Sequence, residues 1–140
     1  MYYVQAGEVP LRARCRAAVL VTAGRAVVSH VAAGHLYQLD ALPPSARVDV
    51  TVRSPEPRRS SALIRAHRAD LDPEDWGWLA GLPVTNPGRT CLDLARTQGR
   101  LIAVRAIESA WSQGYVDHAT CWGWRNGRAA GPAYGGFGQP

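Results

Sequence analysis

The sequence predicts an α+β domain, in which a small mixed sheet of about four short strands packs with about four helices. The clearest strand pattern covers residues 47–53, where valines alternate with arginine, aspartate and threonine. This period of two is typical of a half-buried strand. The clearest helix start is Asn86-Pro87, because asparagine is a favoured N-cap and proline is tolerated in the first helical turn. Strand and helix signals therefore share one short chain of 140 residues.

The remaining elements follow from apolar spacing and from glycine and proline positions. Ser29 is predicted to cap a short helix that begins at His30 and ends near Gln38. The other predicted elements are a helix from Pro10 to Gly24, a second strand at 62–67 that pairs with the first, two short strands at 76–80 and 82–84, a helix from Asn86 to Gly99, and a helix from 101 to Gly114.

The chain is predicted to hold one domain over residues 1–118, followed by a flexible, Gly/Pro-rich tail over 119–140. The start, residues 1–4, resembles the last strand of a preceding unit. No run of about 18 apolar residues exists, which excludes a transmembrane helix and predicts no membrane partner. The three scattered cysteines argue against a disulfide framework and favour a reducing compartment, so we expect a cytoplasmic protein.

Charge is distributed unevenly along the chain. Of sixteen arginines, ten fall in residues 1–70 with five acids, whereas residues 71–140 contain six of each, and lysine is absent. Because guanidinium groups bind phosphate well, the basic half predicts a nucleic-acid partner. The candidate contacts are Arg12, Arg14, Arg16 and Arg25. The alternative is that an arginine-only composition reflects a GC-rich coding sequence, with these side chains merely solvating the surface.

No complete catalytic, metal or cofactor centre is predicted, and no small-molecule substrate is identified. His30 and His35 lie about 140° apart on a helix, which does not favour a shared metal. Ser29 and His30 are interpreted as a helix cap rather than a nucleophile and its base, since adjacent residues at a helix start are not expected to face each other. The acids at 70–75 are interpreted as a solvated turn. We therefore expect a protein that binds rather than an enzyme.

A longer motif supports a family resemblance. Residues 81–95 read Gly-Leu-Pro-Val-Thr-Asn-Pro-Gly-Arg-Thr-Cys-Leu-Asp-Leu-Ala. This block resembles the signature Gly-Leu-Pro-Val-Thr-x-Pro-x-Arg-Thr-x-x-Asp-Leu-Ala of the core domain of AbiEi-family antitoxins and transcriptional regulators. The segments 28–36, 48–52, 65–68 and 108–116 resemble the same domain, and the resemblance covers about residues 1–118.

The resemblance implies an antitoxin-like or transcriptional-regulator-like binding domain of a type IV toxin–antitoxin system. In that family a winged helix-turn-helix precedes the core, and a very-short-patch-repair-like nuclease domain follows it in related proteins. Neither is evident in this sequence, so a separate or missing domain of either kind is an expected partner. Two alternatives stay open: an accessory domain of such an endonuclease without its catalytic part, or a truncated remnant. The Arg89–Asp93 pair within the motif is expected to hold its helix against the sheet.

Overall fold

A computed structural model describes residues 9–53, 57–117 and 119. In this part of the chain the α+β class is confirmed, with four α-helices and one mixed sheet. The elements in chain order are α1 (Leu11–Val21), β1 (Ala26–Val28), α2 (His30–Leu36), β2 (Val48–Val52), β3 (Ile64–Arg68), a 3₁₀ turn (Pro73–Asp75), β4 (Trp76–Leu79), β5 (Leu82–Thr85), α3 (Pro87–Thr97) and α4 (Arg100–Ser112).

The sheet has five strands rather than about four, in the order β3-β2-β1-β5-β4. The additional strand is β1, which has only three residues and gives too short a pattern to predict from sequence. It lies at the centre of the sheet, antiparallel to β2 and parallel to β5. All three of its residues are buried, so both faces of the sheet are covered at this central strand.

Strand β2 was predicted to expose one face, and this detail is wrong. All five of its residues are buried, including Asp49 and Thr51. The valines of β2 belong to the hydrophobic core. The two polar side chains bond to other buried or half-buried groups instead of water. The polar residues that alternate with valine in β2 therefore face hydrogen-bond partners inside the protein and not solvent.

The outer strand β3 runs parallel to β2 and is joined to a polar loop on its free edge. Ser61 donates its backbone N–H to the Ile64 carbonyl at 2.8 Å, and the Ser60 hydroxyl accepts the Ala66 N–H at 3.0 Å. The Ser61 hydroxyl also accepts the N–H of Ile64 at 3.2 Å. The loop thus satisfies backbone groups of β3 that have no neighbouring strand.

The predicted start of α3 is confirmed by its hydrogen bond, whereas the predicted C-cap of α1 at Gly24 is wrong, because α1 ends at Val21 with Thr22 as its C-cap. The Asn86 side chain accepts the backbone N–H of Arg89 at 2.7 Å, with Pro87 as the first helical residue of α3. At the end of α1, Gly24 has a φ of +73° and donates its N–H to the Val19 carbonyl at 3.1 Å. Glycine fits this left-handed position because it lacks a Cβ.

The core lies between the sheet and the helices. Its fully buried members include residues of the central strands and of α1, α2, α3 and α4: Cys15, Ala18, Val28, Ala32, Ala33, Val48, Val50, Val84, Cys91, Leu94, Ala106 and Ala110. None of the helices in the described part of the chain is long and apolar enough to cross a membrane. The predicted strand at 1–4 and nearly all of the predicted tail at 119–140 lie outside the described residues.

Candidate functional site

A buried polar cluster lies where β1, β2, β3 and α2 meet. Ser29 links the end of β1 to α2, and its hydroxyl accepts a hydrogen bond from the Thr51 hydroxyl at 2.8 Å. The same oxygen lies 2.8 Å from Nδ1 of His30. Ser29 and Thr51 are almost completely inaccessible to solvent. We call Ser29, His30, Asp49, Thr51 and His67 the histidine cluster.

Two expectations about Ser29 are corrected by this geometry. Its side chain makes no capping hydrogen bond to the backbone of α2. Ser29 and His30 also face each other, although adjacent residues at a helix start were not expected to do so. The expectation assumed ordinary helical backbone at position 30, whereas His30 has a φ of +52°. Left-handed backbone is uncommon outside glycine, so the surrounding contacts must hold His30 in this conformation.

The second histidine of the cluster comes from β3. The rings of His30 and His67 are stacked, and Nε2 of His67 lies 2.9 Å from a carboxylate oxygen of Asp49. Asp49 and His67 stand on adjacent parallel strands, where Thr51 is the register partner of His67. The side chain of His67 is 24% exposed, whereas that of Asp49 is 5% exposed. The carboxylate therefore orients a histidine that keeps contact with solvent.

The environment of His30 opposes a positive charge. Burial lowers the pKa of His30 to about 3, with further lowering by the nearby charges of His67, Arg89 and Arg96. The carboxylate of Asp49 acts in the opposite direction but is outweighed. His30 is therefore neutral at physiological pH. A neutral imidazole can accept a hydrogen bond on one nitrogen while donating on the other, which fits its contact with Ser29.

A second buried group connects α3 to the turn before β4. Nε of Arg89 donates to Asp93 at 3.0 Å, one helical turn away. A terminal nitrogen of the same guanidinium donates to Asp75 at 3.2 Å. All three side chains are at most 8% exposed. The predicted Arg89–Asp93 pair is therefore present, and it extends to a third residue that ties α3 to the 3₁₀ turn.

Asp75 was placed in a solvated acidic turn, and for this residue the interpretation is wrong. Its carboxylate accepts the backbone N–H of Asp72 at 2.9 Å in a reciprocal capping box. Its carbonyl accepts the N–H of Asn86 at 2.8 Å. Asp70, Asp72 and Glu74 are exposed, as expected for a solvated turn. The burial of Asp75 alone arises because Arg89, fourteen residues later, supplies its counter-charge.

Asp93 is the least satisfied member of this group. Burial raises its pKa, although Arg89, Arg96 and His67 act to lower it. One carboxylate oxygen of Asp93 is enclosed and has no hydrogen-bond partner among the described residues. His67 and Arg96 act electrostatically on Asp93 and on His30, in each case favouring the form with less positive charge. No group of three or more metal-ligating side chains that could hold an ion is found within the described residues.

The predicted nucleic-acid contacts lie on α1 and just beyond it. Arg12 and Arg16 are exposed and separated by one helical turn, so they share a face of α1. Arg25 is exposed in the connection to β1. Arg14 differs, because it is half-buried and its guanidinium donates to the carbonyls of Val9 and Ser45.

A groove adjoins this surface beside β2 and β3. It encloses about 510 Å³ between the end of α1 and the loop 57–61. Valine, isoleucine and alanine side chains of β2 and β3 form its floor, while Arg25, Arg59, Ser60 and Ser61 lie along its walls. Arg59 was not predicted as a site residue, because its only signal in the sequence is its place in a polar, arginine-containing loop. The groove forms where the end of α1 and the loop 57–61, which are distant in sequence, come together.

No protein-family model matches the chain, and no significant similarity to a curated protein was found. The resemblance of residues 81–95 to the AbiEi signature therefore stays a prediction from sequence.

Proposed function

We propose that this chain is an antitoxin-like or transcriptional-regulator-like domain that acts by binding and not by catalysis. The observation that carries the proposal is the exposed pair Arg12 and Arg16 on one face of α1. Neither makes an ion pair within the described residues, so both guanidinium groups can reach phosphate oxygens. Arg25 extends the same positive surface towards the sheet.

Arg14 supports this surface in a different way. Its guanidinium is bonded to two backbone carbonyls, one of them in the loop before β2. These contacts fix the first turn of α1 and thereby the positions of Arg12 and Arg16. Arg14 still contributes positive charge near the helix face, because backbone carbonyls do not neutralise it. The assignment to a type IV toxin–antitoxin system, and a cytoplasmic location, come from the sequence and form part of the same proposal.

The test is a binding titration of the whole chain with labelled duplex DNA from its own upstream region and with scrambled duplex of equal length, each at two salt concentrations. We expect R12Q/R16Q to weaken binding at least tenfold. The matched control is R100Q/R105Q, which removes the same charge from two exposed positions on α4. Equal losses for both double variants, or no binding by the wild type at low salt, would refute nucleic-acid binding through α1.

A second candidate function is the accessory domain of a separately encoded endonuclease. Leu101, Val104 and Trp111 favour it, because they are 71%, 45% and 49% exposed on the outer face of α4. Apolar side chains grouped on an outer helix are typical of a protein–protein contact. The V104R variant should abolish association with a nuclease encoded beside this gene, whereas R16Q should leave that association intact.

A further inference from the structure

Helix α4 presents a second row of side chains on the side that faces away from the core. Its inner side is formed by small buried residues, Ala103, Ala106 and Ala110. On the opposite side four exposed residues form what we call the outer row: Leu101, Val104, Glu108 and Trp111. Their spacing of three, four and three residues is that of the a and d positions at which two helices pack together. The outer row therefore has the pattern of a helix–helix contact.

One charged residue interrupts the apolar outer row. Glu108 is exposed, and so is Arg105, which borders the row beside Val104. Neither of the two makes an ion pair within the described residues. A single charged residue at an a or d position fixes the orientation and register of a helix pair. The occupant of this face should therefore offer an apolar row together with a positive charge opposite Glu108.

A second copy of α4 offers both when it runs antiparallel to the first. With a two-fold axis near position 106, Leu101 faces Trp111 of the second copy, and Val104 faces Glu108 of the second copy. Glu108 then lies beside Arg105 of the second copy, and the symmetry forms this ion pair twice. A parallel pair would instead place Glu108 opposite Glu108. The charges therefore favour the antiparallel arrangement, in which the face is complementary to itself.

We propose that two copies of this chain associate through an antiparallel contact between their α4 helices, with Leu101 against Trp111 and Glu108 paired with Arg105. The dimer goes beyond the proposed function, because none of the arginines assigned to nucleic acid lies on α4. One helix face buries less than the roughly 800 Å² per partner of a standard interface. We therefore expect a weak dimer, with a Kd in the micromolar range or above.

The first test compares L101E with L20E in the full chain. The two leucines are 71% and 75% exposed, but Leu20 lies on α1 and outside the outer row. Sedimentation velocity from about 1 µM to about 1 mM measures the dimer. We expect L101E to weaken association at least tenfold, because it sets a carboxylate against Trp111, and L20E to stay within twofold of the wild type. Equal effects of both variants, or a monomeric wild type throughout, would overturn the proposal.

A charge exchange tests the antiparallel arrangement. E108R and R105E should each weaken association at least threefold, because like charges then meet at two places across the axis. The double variant E108R/R105E restores opposite charges and should return to within twofold of the wild type. Thermal unfolding at the lowest concentration should be the same for all three variants, which separates lost association from a damaged helix. A double variant weaker than either single variant would refute the pairing.

Failure of the dimer and failure of nucleic-acid binding can be separated. Because Arg105 belongs to the contact, the DNA titrations of R12Q/R16Q and R100Q/R105Q are repeated in the L101E background, where the chain should be monomeric. A loss specific to R12Q/R16Q in that background supports the α1 surface whether or not the dimer forms. A wild type that stays monomeric alone but binds a nuclease in a manner sensitive to L101E overturns the dimer and supports the second candidate function.

Discussion

The imidazole rings of His30 and His67 stack with their centroids 3.7 Å apart and their planes at 13°. One ring comes from the first residue of α2 and the other from β3, so the stack joins elements that are 37 positions apart in sequence. Because two positive imidazoliums would repel at this distance, the pair requires at least one neutral ring. The lowered pKa of His30 identifies the neutral partner.

Stability should therefore decrease as the pH falls below the ordinary pKa of histidine. Above pH 6.5 His30 is neutral in both the folded and unfolded states. Below it the unfolded chain binds a proton, whereas the folded protein does not until about pH 3. The expected contribution is a loss of about 1.4 kcal/mol in the free energy of unfolding per pH unit between roughly pH 6 and 4.

Urea unfolding of the wild type and of H30N across this pH range measures that contribution. Asparagine tolerates the left-handed backbone at position 30 but does not titrate. The raised pKa of Asp93 acts in the opposite direction, favouring the folded state as pH falls, and affects both proteins. The stability difference between wild type and H30N should change with pH. Parallel curves would contradict the neutral His30.

Removal of the Arg89 guanidinium should destabilise the protein strongly. R89M leaves the buried carboxylates of Asp75 and Asp93 without their shared counter-charge. Loss of one partner from a buried ion pair typically costs about 3–5 kcal/mol. R96M is the matched control, because Arg96 is on the same helix but exposed, and its loss should cost under about 1 kcal/mol. Similar midpoints of urea unfolding for the two variants would contradict a stabilising role of Arg89.

Asn86 should contribute through both ends of its side-chain amide. Its oxygen accepts the N–H of Arg89 at 2.7 Å, and its nitrogen donates to the Glu74 carbonyl at 2.6 Å. We expect N86A to lower the free energy of unfolding by about 1–2 kcal/mol. N86D keeps the capping acceptor but loses the donor, so its loss should be smaller. If N86D is as unstable as N86A in thermal unfolding, the contact with Glu74 and not the cap dominates.

Salt dependence should report how many phosphates the α1 surface contacts. Each phosphate contact to duplex DNA contributes about 0.9 to the slope of log affinity against log salt. R12Q/R16Q should therefore reduce the magnitude of that slope by roughly 2, if each arginine binds one phosphate. R14Q should instead lower thermal stability, since Arg14 bonds to Val9 and Ser45. An unchanged slope for R12Q/R16Q would exclude direct phosphate contacts by these residues.

Local signals in the sequence predicted the elements that local interactions determine. The valine alternation in β2 and the Asn86-Pro87 helix start need only neighbouring residues, and both elements are present. The burial of Asp49 and Thr51 depends on contacts with β1, β3 and the Ser29 hydroxyl, which no short pattern contains. The α1 arginines were predicted as nucleic-acid contacts, and that role stays a prediction.

The contacts of the candidate site were harder to predict from the sequence, because they too are not contained in any short pattern of residues. The contact of Ser29 with His30 requires a positive φ that a histidine rarely adopts. The burial of Asp75 requires Arg89, and the groove requires the loop 57–61 to lie beside the end of α1. Each feature joins segments that are distant in sequence, so residue types alone did not indicate it.

The serine loop beside β3 has a consequence for self-association. An outer strand with unpaired backbone groups is a template on which another chain can add a strand, and such growth leads to aggregation. Ser60 and Ser61 occupy the backbone groups of Ile64 and Ala66 that such a strand would need. The loop therefore protects this edge of the sheet against intermolecular pairing, and a cut or deletion within residues 57–61 would expose an aggregation-prone edge on an otherwise intact fold.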